Sequence, residues 1–77
     1  MQTIYLIGDL ARVTDLSIDT LNYYLRIGLI EEATRSQRNN YRIFDEDTVE
    51  QLEKIKALRL KKTPIKEIIK KRKDGVL

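Results

Sequence analysis

The 77-residue sequence contains no cysteine, no histidine and no tryptophan. Without cysteine there is no disulfide framework and no thiolate nucleophile; without histidine the usual general base and the common transition-metal sites are missing as well. Three glycines are too few and too scattered to build a glycine-rich phosphate loop. No apolar run approaches the roughly 20 residues that cross a bilayer, and the N-terminus lacks the basic flank and long apolar core of a signal peptide. The expectations are a cytoplasmic protein that is not an enzyme and has no cofactor, no metal effector and no membrane partner. At this length a hydrophobic core is near its lower working limit, so extra support is expected, and it is not covalent.

Charge is present in quantity and is unevenly spread. Residues 1 to 34 carry two basic side chains, Arg12 and Arg26, against five acids, a net of −3, whereas residues 35 to 77 carry thirteen basic and seven acidic groups, a net of +6. A basic C-terminal half suits a polyanion. On charge alone, a solvated lysine-rich helical surface is the simpler account.

Hydrophobic spacing then predicts four helices and one hairpin. Ile7, Leu10 and Ala11 recur at i, i+3, i+4, giving a short helix that begins near Ile7 or Gly8. Ser17 is a suitable N-cap for a second helix from Ile18 to about Ile27, and Gly28 stands where a left-handed residue would end it. The intervening turn is about three residues long, with Asp15 the one best suited to positive φ. Two helices joined so tightly read as a helix-turn-helix.

Around the second helix, at 100° per residue, Ile18, Leu21, Tyr24 and Leu25 share the core face. Asp19, Asn22, Tyr23 and Arg26 fall opposite, with Thr20 at the flank. The neighbouring tyrosines therefore separate, Tyr24 inward and Tyr23 outward. A hydroxyl, an amide, a phenol and a guanidinium on one exposed face are groups that contact base edges and phosphate oxygens, although a solvated face with one stray tyrosine reads equally well from this helix alone.

Beyond Gly28, the turn formers of "SQRNN" and the β-compatible "YRIF" predict a small hairpin. Its tip is expected to hold Arg35 and Arg38 and its return strand Arg42, with no acid from Ala33 to Phe44. Such a ribbon could straddle a phosphate backbone or enter a minor groove; a solvated loop is the plainer alternative. Asp45 is the expected N-cap of a third helix carrying Val49, Leu52, Ile55 and Leu58, and its first-turn acids suit the helix dipole better than a cation site. Thr63 is expected to cap a fourth helix with Pro64 at N1 and Ile65, Ile68 and Ile69 on one face, its basic end "KKRKDGVL" fraying.

The stretches "IGDLARVTDLSIDTLNYYLRIGLI" and "NYRIFDEDTVEQL" resemble the DNA-binding domain of the MerR family of bacterial transcription regulators. The resemblance covers about Ile4 to Ile69. It implies a mainly α fold, a winged helix-turn-helix of about four helices with a two-stranded β-hairpin wing, filling residues 1–77 as one domain: helix-turn-helix 4–30, wing 31–44, third helix 45–62 and fourth helix 63–73. It further implies sequence-specific binding of double-stranded DNA for transcription regulation, with the second helix in the major groove and the wing on the flanking backbone. Thr20, Asn22, Tyr23 and Arg26 would be groove or phosphate contacts and Arg42 the wing's anchor. Ser17, Arg35 and Arg38 complete the candidate DNA-binding set. Family members usually continue into a long dimerising helix and an effector region. The 77 residues thus fit either a fragment of a larger regulator or a small phage or mobile-element DNA-binding protein used in excision, packaging or partition. One module buries limited surface on DNA, so tight binding calls for a second copy or a partner protein on paired half-sites. A winged-helix module that binds protein instead of DNA is the alternative favoured by the acidic first half.

Overall fold

The computed structural model describes residues 3–77. Element order is α1 (Ile7–Thr14), α2 (Ile18–Arg26), β1 (Thr34–Arg35), β2 (Arg42–Ile43), α3 (Glu46–Leu60) and α4 (Ile65–Lys73), which is the mainly α, winged helix-turn-helix arrangement expected.

Local chemistry sets most of the boundaries. α1 opens with Asp9 reaching back to accept the Leu6 backbone N–H at 3.0 Å, a partner that the first turn cannot find inside the helix. It closes at Asp15, whose φ of 58° turns the chain. α2 is capped by Ser17, whose hydroxyl oxygen accepts the Thr20 N–H at 3.0 Å. At the far end Gly28 (φ 77°) allows its own N–H to reach the Leu25 carbonyl and that of Leu29 to reach Tyr24, closing the helix with paired backbone bonds. Asp45 caps α3 through the Thr48 N–H.

The fourth helix departs from expectation at both ends. Pro64, not Thr63, is the N-cap: its extended ψ of 147° leaves its carbonyl to accept the first helical N–H groups, and a proline cannot cap with its side chain. The basic end is closed by backbone bonds. Gly75 (φ 75°) bonds to the Arg72 carbonyl and Val76 to that of Lys71, while Leu77 packs against the core.

Among the described residues, nine side chains form that core: Leu10, Leu21, Tyr24, Leu29, Ile30, Phe44, Leu52, Ile55 and Ile68. Every described element except the two short strands contributes, and Phe44 locks the wing's base into it. Thr14 and Thr48 are buried too, the former satisfied by donating its hydroxyl proton to the Leu10 carbonyl. Two helix-stripe expectations shift. Ile18 is 46% exposed instead of buried, because the first residue of a helix leans toward the N-terminus, past the end of the packed stripe. Leu25 is half-buried at the core's edge.

The wing is a two-rung antiparallel ladder, Thr34 opposite Ile43 and Arg35 opposite Arg42. Tyr5 adds a bridge on the other side, exchanging backbone hydrogen bonds of 2.9 and 2.8 Å with Phe44. The segment before α1 thus ties the wing to the helix-turn-helix.

Candidate nucleic-acid interface

α2 presents Asn22, Tyr23 and Arg26 to solvent, with Ser17 and Asp19 exposed at its start and Thr20 half-buried. Tyr23 is 40% exposed and Tyr24 6%. The Arg26 guanidinium carbon lies 5.7 Å from the centre of the Tyr23 ring, one turn away, so the ring's electron-rich face steadies the cation. Ser17 also donates to the Thr20 hydroxyl at 2.8 Å, which uses the Ser17 proton locally and leaves the Thr20 hydroxyl its own proton to donate. Tyr24, by contrast, sits deep enough that burial pushes its phenol pKa up.

Arg42 lies on the return strand as expected, but Arg35 lies on the first strand and not at the tip. Arg35 and Arg42 lie on the strands, directly opposite one another, and only Arg38 is in the turn, where its backbone N–H bonds to the Ser36 hydroxyl. Although the ribbon itself carries no acid, Glu32 at its root reaches both strand cations: its two oxygens accept from Arg35 Nε at 2.8 Å and Arg42 Nε at 2.9 Å. The Arg35 bond is the main reason the Glu32 carboxyl titrates below the usual range; partial desolvation opposes it and Arg42 adds to it. Among the described residues no carboxylate pairs with Arg38.

A groove of about 480 Å³ joins the two halves of the surface. It is lined by Leu6 and the start of α1 (Ile7, Gly8, Asp9, Arg12), by Asn22 of α2 and by Tyr41 and Arg42 of the wing. Residues of α2 and of the wing therefore line one groove. Asp9 has its pKa lowered first by the Leu6 N–H and then by Arg12, whose guanidinium it holds at 2.8 Å. Arg12 is 75% exposed and Tyr41 is exposed in the wing; neither belonged to the candidate set. Their signal was weak, since Arg12 stands on a helix read only for its apolar stripe and the fold alone brings it to the same groove as Tyr41 and Arg42.

The described residues hold no helix long and apolar enough to cross a membrane and no group of three or more His, Cys, Asp or Glu placed to hold a metal ion.

The model of the MerR HTH family of regulatory proteins matches residues 5–74. The chain belongs to the MerR family. Its relatives are transcriptional regulators: over 71 residues it is 39% identical to the transcriptional regulator BrlR of Pseudomonas aeruginosa, covering 92% of this chain and 26% of that protein. It is 38% identical over 52 residues to the mercuric resistance operon regulatory protein of Bacillus cereus, covering 68% of this chain and 39% of that one. The fold is similar to the crystal structure of a MerR-family transcriptional regulator from Bacillus cereus, with a TM-score of 0.81 over 86% of this chain and 48% of the other, at 24% identity. This MerR-family chain thus spans well under half the length of the curated relatives it matches.

Proposed function

We propose that this MerR-family chain binds double-stranded DNA and regulates transcription, with α2 in the major groove and the wing on the adjoining phosphate backbone. The observation that carries the reading is that Asn22 of α2 and Arg42 of the wing line one and the same groove. In this reading residues 4–30 read the sequence and residues 31–44 grip. Asn22 and Tyr23 offer an amide and a phenol to base edges. Arg12, Arg26, Arg35, Arg38 and Arg42 supply cations for phosphates, Ser17 and Thr20 hydroxyls join at the helix start, and Tyr41 adds a phenolic donor beside Arg42. A single module offers little surface, so occupancy is cooperative, with two copies or a partner protein on paired half-sites.

Selection of binding sites from random duplex, followed by affinity measurements across salt, tests this. Each phosphate neutralised contributes about −0.9 to the slope of log K against log salt, so three to five engaged arginines give a slope of about −3 to −5. Failure to enrich any sequence, together with a flat salt response, rules DNA out and leaves a protein partner for the same surface.

A further inference from the structure

Arg35 and Arg42 stand directly opposite one another in a ladder only two residue pairs long. Like charges in that position repel, and so short a ribbon has little to set against the repulsion. Glu32 answers it from outside the ladder. One carboxylate oxygen takes the Nε of Arg35 and the other the Nε of Arg42, so the two guanidiniums share a single counter-charge.

Each guanidinium is held by its Nε edge. Among the described residues, hydrogen bonds to its terminal nitrogens are absent, and both side chains are 43% exposed. The trio keeps a net charge of +1 while its two cations have been given fixed places.

We propose that Glu32 is a positioning residue for DNA binding: it sets the spacing and direction of Arg35 and Arg42 so that their terminal nitrogens meet backbone phosphate oxygens. The proposal rests on the DNA-binding reading and adds an acid to a surface that would otherwise be scored by its cations. A guanidinium grips an oxyanion through paired parallel N–H groups, and that fork works only when its plane is set. Long side chains left loose lose conformational freedom on binding, which weakens affinity; side chains already tethered lose less. Gln at this position would lose the charge and replace one of the two accepting oxygens with an NH2 donor, so the two arginines could no longer each have an oxygen of their own.

The sign of the effect separates positioning from bulk electrostatics. Glu32→Gln makes the protein more positive by one charge, which by itself tightens binding to a polyanion. Positioning demands the reverse, a loss of about three- to tenfold in affinity for a labelled duplex carrying the selected site. Glu53→Gln, the same charge change at an exposed position on α3, serves as control and should bind as well as the parent or slightly better. In the free proteins, the Arg35 and Arg42 Nε–H resonances should exchange slowly in the parent and fast in the Glu32→Gln variant, with the melting midpoint of each variant recorded to show that the fold is intact. Binding of Glu32→Gln as tight as the parent or tighter overturns the proposal, as does unchanged Nε–H exchange. If the parent itself shows no salt-dependent duplex binding, the underlying DNA reading falls, and the proposal with it.

Discussion

The ε-ammonium of Lys56, in the middle of α3, donates to the backbone carbonyl of Thr14 at 2.6 Å, across 42 positions of the chain. Thr14 is the last residue of α1, where carbonyls lack helical partners and the dipole is negative. A single side chain therefore fastens the scaffold helix to the end of α1 from which the turn into α2 departs. Lys56→Met, which keeps most of the stem and removes the charge, should lower unfolding free energy by about 1–2 kcal/mol in a urea titration with an unchanged m-value.

Adjacent tyrosines should respond in opposite ways. Tyr24→Ala opens the core and should cost about 3–5 kcal/mol, by analogy with other buried aromatic truncations. Tyr23→Ala, at a half-open surface position, should change stability by less than about 1 kcal/mol while altering which duplexes are recovered in binding-site selection. Equal stability losses at the two positions would contradict the orientation of α2.

The wing and the helix should also separate in their DNA phenotypes. Arg42→Ala is expected to weaken all duplexes alike and make the salt slope shallower by about 1, whereas Asn22→Ala should redistribute preference among sequences with little change in slope.

Gly28→Ala isolates backbone strain. Its φ is 77° and an added Cβ would meet nothing within 4 Å, so no clash complicates the result. The expected cost is about 1–2 kcal/mol, from the left-handed conformation alone, read as a lower thermal midpoint.

Acid should destabilise the wing and the start of α1 together. Asp9 and Glu32 both have folded-state pKa values below their ordinary ones, because N–H donors and guanidiniums favour the charged carboxylate. A depressed folded pKa contributes stability above the unfolded value and loses it as pH falls through the folded value. Stability should therefore hold above about pH 5 and decline through pH 4 and below. The decline should be shallower in the Asp9→Asn and Glu32→Gln variants, as followed by circular dichroism.

Legibility followed distance along the chain. Ser17, Asp15, Gly28 and Asp45 were readable because a cap or a left-handed turn residue acts on backbone within a few positions. Tyr23 and Tyr24 were separable because 3.6-residue periodicity fixes which way neighbours point. At its edges the same rule failed. Ile18 fits the stripe but precedes the packing, and the burial of Thr14 and Thr48 depends on which helix lies over them. At Pro64, the preference of proline for N1 gave way to an extended residue that starts the helix with its carbonyl.

The sequence alone determined the helices, most of their caps, the exposed face of α2 and the family, since each of these is encoded in side chains that interact within about one turn or in a spacing kept along the chain. Tertiary structure decided what surrounds that face: Arg12 and Tyr41 beside Asn22, Glu32 between two arginines, Lys56 on the end of α1. Contacts of that kind join residues far apart in sequence, and nothing local specifies them. They exist because Phe44, Leu10 and Leu52 pack into one core and the chain's path around it brings wing and helix to one groove.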